Sequence, residues 1–179
     1  MAGSYPLVDT HAHLDFSQFD DDREEVVARA LAAGVGAIIN VGADLNSSRQ
    51  AISLAERYPQ IYAAVGIHPH DAETLTAETL AEIQTLARHP RVVAIGETGL
   101  DYYRDLSPRG AQRRAFEAQL ALASELGVPV IVHDREAHSD VTAILRRWVG
   151  GRRSSGGVLH CFSGNLDMAR EAMEWGFYI

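Results

Sequence analysis

The 179-residue chain is 46% hydrophobic, enough to bury one core, and reads as a single domain over residues 1–179. Its net charge of −8 argues against a general polyanion binder, so any contact with nucleic acid would be local or made through metal ions. One cysteine, Cys161, excludes an internal disulfide framework, and no apolar run approaches the ~20 residues that cross a membrane. Met1–Tyr5 shows no basic region or signal-type apolar stretch, so a cytoplasmic protein without membrane attachment is expected. All sixteen basic residues are arginine, which removes lysine Schiff bases, a P-loop lysine and a carbamylated-lysine metal bridge from consideration.

A first strand is expected near residues 5–11. A helix then opens at Asp20-Asp21-Asp22, where carboxylates suit the positive end of the helix dipole. Val26, Val27, Ala30 and Leu31 give it an apolar face, and Gly34 ends it. A strand near 36–41 leads to a helix over about 47–58, stopped by Pro59. A third strand near 61–67 leads to a helix over about 77–87, ending before Pro90. The fourth strand, near 92–97, precedes a long helix over about 108–126, closed by Gly127. The fifth, near 128–133, precedes a helix over about 137–148, and Gly150–Gly157 (GGRRSSGG) reads as a flexible loop. A sixth strand near 157–162, a helix over about 166–175 and a strand beginning at Phe177 complete the chain.

The strands are continuous apolar runs, as in a parallel sheet buried on both faces, and the strand–helix alternation places helices outside it. The expected fold class is α/β, a TIM-type (β/α)8 barrel truncated after the start of strand seven. Seven strands do not close such a barrel, and the chain reads as about 70 residues short of the usual length. Open first and last edges would invite a homodimer through the barrel gap.

The candidate chemistry sits where these strands end. His11 and His13 follow Pro6-Leu7-Val8, Glu97 ends Val92–Gly96, His133 ends Val128–Val132 and His160 ends Gly157–Leu159. In a barrel those ends meet at one face, where active sites form. His11 and His13 are two apart and point to one side, so they can hold one divalent ion. His133 and His160 can hold a second, and Glu97 can bridge both with its two oxygens, which makes it the candidate catalytic carboxylate. Two ions so held activate water and neutralise charge on a scissile group. A single histidine is more often a surface or hydrogen-bonded residue, but four with a glutamate at strand ends reverse those odds. The pattern points to a metal-dependent hydrolase, with Mg²⁺, Mn²⁺ and Zn²⁺ all admissible.

The same segments resemble the successive motifs of the TatD family of metal-dependent deoxyribonucleases, in the amidohydrolase superfamily. They are Asp9-Thr10-His11-Ala12-His13-Leu14, Gly66-Ile67-His68-Pro69-His70, Gly96-Glu97-Thr98-Gly99-Leu100-Asp101-Tyr102-Tyr103, Val132-His133-Asp134-Arg135 and His160-Cys161-Phe162-Ser163-Gly164. The last and the glutamate segment are specific, whereas the paired histidines alone are a weak signal. The resemblance implies a TIM-type barrel, two divalent ions and hydrolysis of DNA phosphodiesters. Carried over by position, His11 and His13 would bind one ion, His133 and His160 the other, and Glu97 would bridge. The family's strand-eight aspartate, a metal ligand and proton acceptor, has no counterpart among the 179 residues, so weak or absent activity is expected of them alone.

His68 and Arg135 are candidate substrate contacts, and Asp101 a candidate to orient a ligand histidine from the loop after Glu97. For His70 a solvent-exposed loop position is equally consistent. His89 and His138 read as surface residues, Cys161 as a buried inert thiol, and Arg146, Arg147, Arg152 and Arg153 as a solvated cluster on the opposite face of the barrel. The same site would also serve an amidohydrolase acting on another ester or amide, in a small molecule or aminoacyl-tRNA. A non-catalytic metal-binding fragment is the third reading.

Overall fold

The computed structural model describes residues 7–151 and 154–179. Seven strands are present: β1 (Leu7–Ala12), β2 (Val35–Val41), β3 (Ile61–Val65), β4 (Val92–Asp101), β5 (Val130–Arg135), β6 (Gly157–Leu159) and β7 (Phe177–Tyr178). They alternate with α1 (Arg23–Ala32), α2 (Leu45–Arg57), α3 (Ala77–Leu86), α4 (Arg109–Leu126), α5 (His138–Gly151) and α6 (Leu166–Glu174). Neighbouring strands are parallel, and the sheet order is the chain order from β1 to β7. Right-handed crossovers between successive neighbours all pass on one side, so the helices cover one face and the sheet coils around the other.

One contact measures the curl. His11 on β1 and His160, just past β6, stack with ring centroids 3.9 Å apart. In a flat sheet five spacings of ~4.8 Å would hold those strands about 24 Å apart. The sheet is therefore rolled, and its strand C-termini surround a common mouth.

Side-chain alternation divides the core in two. Ile38, Ile61, Val65, Ile95, Val130, Val132 and Leu159 meet Ile52, Ile83, Phe116, Leu120, Val141 and Leu145 of the surrounding helices. Val41, Ala64, Ala94 and Ile131 form a separate inner cluster. Ile131 and His133 are two residues apart on β5, so the apolar inner face leads directly up to a candidate ligand. β1 is an edge: Leu7 and Val8 are 63% and 55% exposed, against the buried strand its composition predicts.

Helix termini follow local chemistry. Asp44 and Ser47 form a reciprocal capping box on α2, Thr76 caps α3 and Asn165 caps α6. Gly127 ends α4 at φ +69°. Several boundaries differ from the sequence reading, β3 stopping at Val65 and β5 running from Val130 to Arg135 among them. A 3-10 turn at Ser17–Phe19 precedes α1, which starts at Arg23 without a side-chain cap from Asp22. β6 stops at Leu159, leaving His160 just beyond the strand. α5 runs on to Gly151, into the expected loop, while Arg152 and Arg153 lie outside the described residues, as do residues 1–6. β4 continues four residues past Glu97 and pairs Asp101 with Arg135 of β5. Gly99 permits that extension: at φ +140°, a Cβ there would sit 2.0 Å from the His133 carbonyl oxygen. Among the described residues no helix is long and apolar enough to cross a membrane.

Candidate metal centre

Glu97 stands at the middle of the mouth, buried on the central strand. Its two oxygens face different histidines. Oε2 lies 3.3 Å from His11 Nε2 and 3.9 Å from His13 Nε2. Oε1 lies 2.8 Å from His133 Nδ1, 2.9 Å from His160 Nε2 and 3.6 Å from His68 Nε2. Two three-residue donor sets converge, His11 with Glu97 and His160, and His68 with Glu97 and His133, so His160 groups with His11 here rather than with His133 as the sequence reading pairs them. The structure thus gathers all five residues singled out as ligands from the sequence, and adds His68 to them.

Hydrogen bonds bear on which nitrogen carries the hydrogen in His13, His133 and His68. His13 Nδ1 lies 2.9 Å from the Val41 carbonyl, which can only accept, so Nδ1 holds the hydrogen and Nε2 offers a lone pair to the mouth. His133 has a carboxylate oxygen at each nitrogen, Asp101 Oδ2 3.1 Å from Nε2 and Glu97 Oε1 2.8 Å from Nδ1; with Nε2–H given to Asp101, Nδ1 is the atom an ion beside Glu97 would take. His68 is the opposite case. Its Nδ1 accepts the His70 backbone N–H at 3.1 Å, so in the neutral ring Nε2 carries the hydrogen. Proximity groups His68 with the ligands, but its tautomer makes it a donor into the site.

Burial lowers the pKa of both His13 and His68, favouring neutral rings. Burial by itself would raise the Glu97 carboxyl, but His11, His133, His160 and His68 hold it well below the usual carboxylate range. Burial also opposes charge on His133, yet Glu97 and Asp101 on its two nitrogens raise it above the ordinary imidazole value. A buried carboxylate held ionised among imidazole nitrogens is a donor set that a cation can occupy. His11 Nε2 and His13 Nε2 lie 3.1 Å apart, and His11 Nδ1 is buried without a partner. Imidazole nitrogens and carboxylate oxygens so arranged fit divalent cations such as Zn²⁺ or Mn²⁺.

Behind these residues lies a supporting layer, in which the sequence reading named Asp101 but not the buried amides. Asp101 is buried at the end of β4 rather than in a loop. Its Oδ2 also meets His70 Nε2 at 2.8 Å, and its Oδ1 accepts from the Tyr103 and Arg104 amides. Burial would raise this carboxyl, but the Arg104 amide, His70 and His133 bring it down to about 2. His70 is accordingly half-buried and tied down rather than a free loop residue. Three buried amides fix the strand ends. Gln119 of α4 accepts from Ile67 N–H and donates to the Ile67 carbonyl and Thr98 Oγ1. Gln112 accepts from Asp101 N–H and donates to the Ser107 carbonyl. Asn40 accepts from Leu14 N–H, just past His13, and donates to Asp15.

Arg135 is exposed at the rim, its guanidinium 4.1 Å from the centroid of the Tyr103 ring, and does not reach the histidine cluster. His138 bonds Asp134, and His89 bonds Glu56, away from the centre. Arg146 and Arg147 are exposed and paired with Glu171 and Glu117. Cys161 corrects the sequence reading: it is exposed at φ +51°, because β6 ends two residues earlier and the chain turns outward.

The family described as TatD related DNase matches residues 8–179. A Bacillus subtilis protein described as an uncharacterized metal-dependent hydrolase, YabD, is 47% identical over 97% of this chain and 67% of its own length. The Enterobacter lignolyticus protein described as 3'-5' ssDNA/RNA exonuclease TatD is 44% identical over 97% of this chain and 66% of its own. Among solved structures, the Escherichia coli K12 TatD homolog YJJV superposes with a TM-score of 0.86 at 36% identity, covering 96% of this chain and 66% of that one. The chain thus spans about two thirds of the length of these relatives. Its rolled parallel sheet is of the TIM-barrel type, and the chain belongs to the TatD-related DNase family.

Proposed function

We propose that the chain carries the metal centre of a hydrolase that cleaves phosphodiester bonds in single-stranded nucleic acid, DNA foremost. The observation behind this is the division of Glu97, with one oxygen toward His11 and His13 and the other toward His133 and His160. His11 and His13 would hold one divalent ion, His133 and His160 a second, and Glu97 both. Ions bound there supply Lewis acidity toward a phosphoryl oxygen and lower the pKa of water into the neutral range.

The chain's own residues set the rest. Asp101 holds His133 in the tautomer that turns Nδ1 inward. Neutral His68 presents Nε2–H to a phosphoryl oxygen, a donor aimed where charge develops in the transition state. Arg135 offers a guanidinium to a neighbouring phosphate, a local contact suited to a chain of net charge −8. The relatives' descriptions, a metal-dependent hydrolase and a ssDNA/RNA exonuclease, support both the reaction class and the substrate. We further read the chain as cytoplasmic, and as pairing the open outer edges of β1 and β7 with a second copy.

The test is metal add-back. The chain is stripped, supplied with Mg²⁺, Mn²⁺ or Zn²⁺, and assayed on end-labelled single-stranded DNA, a bis-nitrophenyl phosphodiester and a nitrophenyl carboxylic ester. Weak phosphodiester turnover that needs metal and disappears in Glu97→Gln is expected. Preference for the carboxylic ester, or turnover indifferent to chelation, would overturn the reading.

A further inference from the structure

Two aromatic rings at the rim offer no ligand atom to the metal centre. Phe16, just past β1, is 45% exposed, and one face lies parallel to the His13 ring, with centroids 4.8 Å apart and planes 8° apart. Tyr103, just past β4, is 64% exposed, with the Arg135 guanidinium 4.1 Å from its ring centroid. The two rings belong to opposite sides of Glu97. His13, beneath Phe16, faces Oε2. Tyr103 donates its amide to Asp101, whose other oxygen holds His133 on the Oε1 side.

The neighbouring Tyr102 shows what a structural aromatic looks like here. Its hydroxyl bonds Asp140 at 2.6 Å, and the Arg109 guanidinium lies 4.2 Å from its ring centroid. Arg109 and Arg113 are neutralised by Asp105 and Asp140. Among the described residues, by contrast, Arg104 and Arg135 have no carboxylate within 4 Å. Exposed π-faces beside unpaired guanidinium groups are the chemistry that holds single-stranded nucleic acid, bases on the rings and phosphates on the cations.

We propose that Phe16 and Tyr103 are nucleobase-stacking platforms on either side of the metal centre, and that a single strand lies across the mouth with one base on each. The inference rests on the phosphodiesterase reading above. Such platforms would select single strands, because bases stacked in a duplex present no free face.

The test is binding rather than turnover: fluorescence anisotropy with a labelled phosphorothioate oligothymidylate in Mn²⁺, with metal content measured for every variant. Phe16→Ala and Tyr103→Ala should each weaken Kd by roughly 5- to 150-fold with metal content retained. Tyr103→Trp should keep the affinity and Tyr103→Leu should not, since a flat π-face rather than apolar area is required. An abasic oligomer of equal length should not distinguish the variants. The slope of log Kd against log salt should be unchanged in Tyr103→Ala and reduced by about 0.7 in Arg135→Gln. Wild-type affinity in both alanine variants, or an equal response from the abasic oligomer, would overturn the platforms and leave the phosphodiesterase reading standing. A wild-type chain that hydrolyses the bis-nitrophenyl phosphodiester but fails to bind the oligomer would overturn the polynucleotide substrate and the platforms together.

Discussion

Replacing Asp101 by asparagine tests how the chain sets the chemistry of His133. The substitution keeps the size and leaves Oδ1 to accept the Tyr103 and Arg104 amides at 3.0 and 2.8 Å. Where Oδ2 stood it places an NH₂ group, facing His133 Nε2 at 3.1 Å and His70 Nε2 at 2.8 Å. Donor then meets donor. His133 relieves the conflict by moving its hydrogen to Nδ1, the atom 2.8 Å from Glu97. The lone pair assigned to an ion is then occupied. Carboxylates that support a ligand histidine in this way commonly contribute ~10–100-fold in metal affinity, which is about 1.4–2.7 kcal/mol. Competition against a chromophoric chelator measures it, and Asp101→Asn should bind the more weakly held ion within that range less tightly than wild type. Unchanged affinity would refute the tautomer argument and leave Asp101 as a loop anchor only.

His68→Ala should lower phosphodiester turnover by ~10²–10³-fold, the usual loss on removing an oxyanion donor, while metal content stays at the wild-type level. Loss of metal in that variant would instead make His68 a ligand. Gln119→Leu strands Ile67 N–H and its carbonyl in the core, at about 1–3 kcal/mol per group, and urea denaturation should show a midpoint lowered accordingly. The Tyr102 hydroxyl beside Asp140 lowers the pKa of that carboxyl in the folded chain. Its stabilisation is therefore complete above the unfolded carboxyl value and lost as pH falls through the folded one. Thermal unfolding followed down into acid should be less pH-dependent in Asp140→Asn than in wild type.

The strand-end histidines and Glu97 were legible because each closes an apolar run, and in a parallel barrel the end of every run arrives at the same mouth. Of the supporting layer, the role of Asp101 was legible and the buried amides were not. Gln112 and Gln119 look like solvent-facing polar positions of an amphipathic helix, since periodicity cannot separate a glutamine in water from one bonded to a neighbouring strand. Asp101 is expected in a loop because the apolar run ends at Glu97, whereas Gly99 lets β4 press against β5 and carry the carboxylate to His133. Leu7 and Val8 have the composition of a buried strand, and their exposure follows from the open first edge expected of seven strands. Phe16 and Tyr103 carried no periodic signal, and their openness is a property of the rim alone.

In the proposed centre, Glu97 is shared between two histidine-bound ions. The most direct test of that sharing is the metal content of the purified chain after equilibration with Mn²⁺ or Zn²⁺ and removal of excess, measured by mass spectrometry of the elements. His89→Ala, bonded to Glu56 and remote from the centre, serves as the control. The account predicts two ions per wild-type chain and per His89→Ala chain, one in His133→Ala or His160→Ala, and weakened retention of both in Glu97→Gln. Full metal content in Glu97→Gln, or equal loss in His89→Ala and His133→Ala, would contradict it.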